Sequence, residues 1–254
     1  MNSIKKMMLS GALGCLISGM AYADGSSPQP VKPYWQDIQV VAVNKEKPRS
    51  SFMSYADRET ALTSRFEKSP YYSLLNGTWK FFFVDSYKDL PQNITDPSVN
   101  TSSWDDITVP GNWEVQGHGV AIYTNHGYEF KPRNPQPPLL PEANPVGVYR
   151  RDIEIPANWD NRDIYLHIGG AKSGLYVYLN GKEVGYSEDS KNPAEFLINK
   201  YLQPGKNVLT LKIFRWSTGS YLECQDFWRM SGIERDVFLW SQPKASIQDF
   251  RVVS

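Results

Sequence analysis

The sequence predicts an all-β chain, a β-sandwich or jelly roll preceded by an irregular N-terminal arm. Three observations carry that expectation. Short apolar runs recur between Gly, Pro and Asn punctuation, with no long helical periodicity. The chain is 41% hydrophobic and 13% aromatic, the composition of a folded chain with large side chains to bury. Asn180-Gly181 separates two apolar runs and is the strongest short hairpin signal, because both central residues of a type I′ turn need positive φ.

In chain order, Lys5 and Lys6 precede the uncharged run Met7 to Ala23, which ends Ala21-Tyr22-Ala23. That pattern is a secretory signal peptide cleaved after Ala23, so residues 1–23 are expected to be removed and the protein exported, periplasmic or extracellular. The run contains Ser10, Gly11, Gly14, Ser18 and Gly19 and is short for a membrane span, so no membrane partner is expected after cleavage. Cleavage removes Cys15 and leaves Cys224 as a lone thiol, which excludes an internal disulfide. Residues 24–70, with Pro28, Pro30, Pro33 and Pro48, read as an arm laid over a surface, with a short helix from Glu59 to Lys68.

Residues 71–244 form the expected sandwich. Trp79 to Val84 follows the Asn76-Gly77 turn and reads as a strand buried on both faces. Gly147 to Ile155 sets Val148, Arg150, Asp152 and Glu154 against Tyr149, Arg151, Ile153 and Ile155, the period of a half-buried strand. Ile164 to Ile168 is another strand. Tyr176 to Leu179 and Val184 to Tyr186 form the hairpin across residues 180–183, and Asn207 to Trp216 and Val237 to Trp240 complete the set. Six prolines between Lys131 and Pro145 make that segment a stiff loop. From Ala245 to Ser254 a strand-like run begins with Ile247, Phe250, Val252 and Val253, as the start of a truncated second domain would.

The 27 basic and 27 acidic residues balance, which argues against a nucleic-acid partner. His118, His126 and His167 have no metal-ligand spacing, and neither a Gly-x-Ser-x-Gly elbow nor a phosphate loop occurs. The densest polar and aromatic stretch runs from Arg215 to Gly232. Within it Glu223 and Asp226 invite assignment as the two carboxylates of a glycosidase, which stand about 5 to 5.5 Å apart in a retaining enzyme. The spacing favours a structural reading, in which one pairs with Arg229 or Arg215 and the other caps a turn. Trp216, Phe227 and Trp228 are either sugar-stacking or core residues, with packing expected for at least two of them.

Five ordered motifs then resemble one family. They are Leu75-Asn76-Gly77-Thr78-Trp79-Lys80-Phe81, Val109-Pro110-Gly111-Asn112-Trp113-Glu114, Ile122-Tyr123-Thr124-Asn125, Asn144-Pro145-Val146-Gly147, and Ser220-Tyr221-Leu222-Glu223 with Trp228-Arg229-Met230-Ser231-Gly232-Ile233. Together, over residues 34–254, they resemble the N-terminal sugar-binding domain of glycoside hydrolase family 2, in the lactose-cleaving β-galactosidase branch. The resemblance implies that the all-β sandwich is a jelly roll (galactose-binding-like), followed by an immunoglobulin-like domain and a catalytic (β/α)₈ barrel that holds both catalytic glutamates. No catalytic residue is then expected in this chain, and Glu223 and Asp226 are not that pair.

By the same resemblance, Asn125 matches a galactose-binding asparagine. Asp226 matches an aspartate near the galactosyl hydroxyls that also ligates sodium, with the remaining ligands coming from the absent barrel. Magnesium is expected only in the absent catalytic domain. Thr218 stands where relatives with a structural magnesium in this domain carry an acid, and a neutral hydroxyl is a poor substitute on that ion. Implied partners are a galactoside, the downstream domains and a second copy in a homo-oligomer. Three readings follow: an inactive fragment of an exported β-galactosidase, a stand-alone carbohydrate-binding module, and a scaffold between domains.

Overall fold

The computed structural model describes residues 32–130 and 134–253. The expected signal peptide and Cys15 lie outside them. What is described is almost entirely antiparallel β-structure. A seven-stranded sheet runs in the order Ala42–Val43, Lys182–Ser187, Gly174–Leu179, Lys206–Phe214, Val146–Glu154, Gly77–Val84 and Asp105–Val109. Facing it is a four-stranded sheet in the order Ala194–Leu197, Arg162–Ile168, Val237–Pro243 and Tyr72–Leu74.

The core lies between these sheets. Trp79, Phe81, Tyr149, Val177 and Leu211 project from the larger sheet against Leu166, Ile168, Phe196 and Leu239 of the smaller one. Strand alternation puts every second side chain on this inner face, which is why the apolar runs read at period 2 in the sequence. Gly147 is required by close packing, since a Cβ there would stand 2.5 Å from the Trp113 ring and 2.7 Å from Phe81. The hairpin turn forms as expected: Asn180 and Gly181 have φ of 53° and 76°, and Leu179 pairs directly with Lys182. The second strand therefore begins two residues earlier than its apolar core.

Two expectations about burial are corrected. The segment Val146 to Arg150 is buried on both faces, not half-buried, and Phe82 and Val84 are only partly buried. The outer face of the large sheet is covered at its centre by Trp35 of the arm and by the segment that carries Ile94 and Trp104, and less completely over Phe82 and Val84. Trp35 stacks on Phe214 at 5.0 Å, and Trp35, Ile94 and Trp104 pack against Val146 and Val148. Arg150 lies within this outer layer and donates to the Ile94 and Val99 carbonyls and to Thr210. Further along, Met53 packs against Tyr165, Phe238 and Trp240 on the outside of the smaller sheet.

The arm's helix is shorter than Glu59 to Lys68. It spans Arg58–Leu62, capped by the Asp57 carboxylate on the Thr60 amide at 2.8 Å, and a separate 3₁₀ turn follows at Phe66–Lys68. The run after Ala245 forms no strand among residues 245–253, because nothing pairs with it. Its polar groups turn to the arm instead, with the Ser50 amide donating to Asp249 and Phe250 lying 5.6 Å from Phe52.

Candidate functional site

The site is built on a separate two-stranded ribbon, Ile122–Thr124 with Phe227–Arg229. Its pairs are Ile122 with Arg229, Tyr123 with Trp228 and Thr124 with Phe227. The ladder ends at the Thr124 and Phe227 pair, so Asn125 and Asp226 are the next residues on its two strands, each in a bend at the same end of the ribbon although about a hundred residues apart in sequence. Both are exposed. Asp226 accepts a hydrogen bond from the Tyr123 hydroxyl at 3.0 Å, which raises the Tyr123 phenol above its usual range. The Asn125 amide oxygen lies 2.7 Å from His126 Nδ1.

The three aromatics divide as the packing argument required. Trp216 is buried, and Phe227 is half-buried beside the cationic groups of Lys172, Lys191 and Arg229. Trp228 is 53% exposed and leans on Tyr123 with ring centroids 5.6 Å apart. It offers a free aromatic face next to the Asn125 and Asp226 pair. Behind the ribbon, Tyr128, Phe130, Trp216 and Tyr221 pack edge to face. From the proline-rich segment the Leu139 carbonyl accepts a hydrogen bond from the Tyr221 hydroxyl, and Asn144 exchanges two hydrogen bonds with the Trp216 backbone.

Glu223 and Asp226 have no common task. The Glu223 carboxylate accepts from both the amide and the hydroxyl of Ser190, at 2.9 and 2.6 Å. Burial pushes its pKa up while the Ser190 donors pull it back. Among the described residues neither carboxylate pairs with an arginine, contrary to the structural reading of the sequence. Arg229 instead uses the Glu223 backbone carbonyl, and Arg215 approaches Glu129 and Glu114. Cys224 is half-buried with its thiol on the Ser220 carbonyl, and burial raises its pKa.

Thr218 donates its hydroxyl to Glu188, which also accepts from the Gly219 amide and the Tyr186 hydroxyl, all between 2.7 and 2.8 Å. A buried carboxylate therefore sits across from the neutral residue 218. Burial pushes its pKa up, and the three neutral donors draw it down. Among the described residues, no three His, Cys, Asp or Glu side chains converge in a metal cage, and no helix is long and apolar enough to cross a membrane.

Sequence reasoning missed the buried charges beneath the ribbon. Lys172 and Glu129 pair at 2.9 Å, and Arg215 stands 3.5 Å from Glu129 and 3.6 Å from Glu114. Nothing local marks these residues, since the partners lie 43 and 86 positions apart along the chain. A cavity of about 330 Å³ lies elsewhere, between the arm and the smaller sheet, near Arg49, His167 and Glu195. Within it Phe238 stacks on His167 at 4.2 Å, Trp240 stacks on Tyr165 at 4.6 Å, and Arg49 lies over the Trp240 ring at 4.3 Å.

Comparison with known proteins gives this geometry a context. Residues 72–243 match the family described as glycosyl hydrolases family 2, sugar binding domain. A β-galactosidase of Priestia megaterium is 41% identical over 225 residues, which is 87% of this chain and 22% of that protein. One of Actinobacillus pleuropneumoniae is 41% identical over 217 residues, 85% of this chain and 21% of the relative. The chain thus spans about a fifth of the length of these relatives. Among solved structures, a Bacteroides uniformis β-glucuronidase superposes with a TM-score of 0.51 at 22% identity, over 68% of this chain and 18% of that one, a likeness of fold.

Proposed function

The chain belongs to glycoside hydrolase family 2, whose sugar-binding domain it carries, and from that premise we propose that its ribbon supplies part of a β-galactosidase active site. In this reading Asn125 donates and accepts hydrogen bonds with the galactosyl hydroxyls, and the Asp226 carboxylate accepts from them. The observation that supports it is that both residues are exposed and directly follow the Thr124 and Phe227 pair at one end of the ribbon, with the half-exposed Trp228 two residues from Asp226. An anionic carboxylate and an amide oxygen suit both sugar hydroxyls and a hard monovalent cation such as sodium. One carboxylate makes only a partial cation shell, and the remaining ligands would come from the barrel outside these 254 residues.

The whole reaction proposed is hydrolysis of terminal non-reducing β-D-galactosyl residues with retention, on two carboxylates of that barrel. Magnesium belongs to the same catalytic domain. The domain described here is read as a jelly roll within an exported, homo-oligomeric enzyme, and as inactive alone. The occupied state of Glu223, with both oxygens on Ser190, supports keeping the nucleophile outside this chain.

The test is a chimera in which this chain replaces the matching amino-terminal fifth of the Priestia megaterium β-galactosidase. Asp226→Ala should lower kcat/KM for a chromogenic galactoside and abolish sodium dependence. Asn125→Ala should act mainly on galactose binding and transition-state contacts. Parent-like kinetics for both variants would remove the pair from the site. Cleavage by the isolated chain would refute the assignment of the catalytic carboxylates to the barrel, and galactose binding by it in calorimetry would favour a stand-alone binding module.

A further inference from the structure

The ribbon has only three residue pairs, and a two-stranded ribbon of that size is marginal without outside support. Its register nevertheless decides the site. A slip of one residue would turn alternate side chains to the opposite face and separate Asn125 from Asp226. Something must fix it.

Arg229 is 1% exposed, and among the described residues it forms no ion pair. Its guanidinium donates through Nη1 to the Glu223 carbonyl at 3.2 Å and through Nη2 to the Thr124 carbonyl at 3.4 Å. Thr124 immediately precedes Asn125, and Glu223 lies three residues before Asp226. One planar fork therefore joins the two segments that bear the site. A second fork repeats the device at the other end, where Arg215 Nη2 donates to the Val120 carbonyl at 2.9 Å and to the Arg229 carbonyl at 3.2 Å. Arg215 has Glu114 and Glu129 nearby, whereas among the described residues Arg229 has only backbone carbonyls and the face of the Phe227 ring at 4.8 Å, with its Nε unpartnered. Burying a cation on such terms is costly. What it gains is the bridge, which a lysine ammonium cannot reproduce with the same two-armed geometry.

We propose that Arg229 is a positioning residue that fixes the ribbon register and, through it, the Asn125 and Asp226 pair. This rests on the reading of that pair as galactoside-facing. The first test uses the chain itself, comparing Arg229→Lys with the parent by hydrogen exchange. Amides of residues 122–124 and 227–229 should exchange faster by about tenfold or more, while those of 146–150 and 209–213 keep their protection. Unchanged ribbon exchange, or an equal loss in both regions, would overturn the proposal.

The second test uses the chimera. Arg229→Lys should lower kcat/KM by about tenfold and add little once Asp226→Ala is present, because it acts through that residue. Fully additive losses would overturn the proposal. If Asp226→Ala alone leaves kinetics unchanged, the galactoside reading fails, and the proposal fails with it as a statement about the pair, while the exchange result separately decides the register.

Discussion

The buried charges under the ribbon make a quantitative prediction. Lys172 and Glu129 are 1% and 8% exposed and pair at 2.9 Å. Breaking a buried pair from one side typically costs about 3 to 5 kcal/mol, because the remaining charge is left in a poor solvent. The two sides differ here. Lys172→Met leaves Glu129 with Arg215 at 3.5 Å, so its cost should fall at or below the lower end of that range. Glu129→Gln leaves Lys172 with a neutral amide oxygen, the Phe227 ring at 5.9 Å and the influence of the Glu223 carboxylate, and takes from Arg215 one of its two carboxylates, so it should fall higher in that range. The double variant Lys172→Met with Glu129→Gln removes both charges, so it should cost less than the sum of the singles by about 0.5 to 3 kcal/mol. Urea denaturation of the four proteins, with comparable m values, measures this cycle. Additive losses, or a Lys172→Met cost equal to or above that of Glu129→Gln, would refute the argument.

Trp35→Ala should destabilise the chain by about 3 to 5 kcal/mol in urea, the range for a large buried aromatic, and a loss below about 1 kcal/mol would show that the arm is not part of the core. Gly147→Ala should cost about 1 to 3 kcal/mol in the same assay through overpacking against Trp113 and Phe81. Burial alone would raise the Glu195 pKa, but His167 and Arg49 overcome it and hold the carboxyl below its ordinary value of 4.5. A depressed carboxyl stabilises the fold above its unfolded pKa, and that contribution is lost as pH falls through the folded value, so Tm should drop more steeply below pH 4.5 in the parent than in Glu195→Gln. With its thiol pKa raised by burial, Cys224 should react with a thiol reagent at pH 8 more slowly in the folded chain than in urea. Equal rates would place it in open solvent.

How much of this was legible in the sequence depends on the range of the interaction. Trp79 to Val84, Ile164 to Ile168 and the Asn180-Gly181 hairpin were readable because alternation and turn chemistry act over a few residues. The double burial of Val146 to Arg150 was not, since its outer cover, Trp35, comes from more than a hundred residues earlier. Strands such as Asp105–Val109 and Ala194–Leu197 were missed because their short, mixed patterns are strand-like only once a neighbour pairs with them. For the site, Asn125 and Asp226 were named through family motifs, while Glu129, Lys172 and Arg215 were not assembled, since their attraction acts across the fold and leaves no spacing to read.

That division of ranges bears on the proposal that this domain contributes to a shared active site. The sandwich core is continuous and apolar, whereas the site-bearing ribbon is short, exposed and tied down by directional groups. Two guanidinium forks reach four backbone carbonyls on its two sides, and Asn144 fixes the neighbouring loop in the same way. Apolar packing tolerates small displacements, but hydrogen bonds to a carbonyl weaken steeply with angle. An edge that must meet groups from another part of a protein gains more from the second kind of restraint. The buried cations cost stability in the domain, and under the proposal for Arg229 the physical return is a fixed register of the ribbon that carries Asn125 and Asp226.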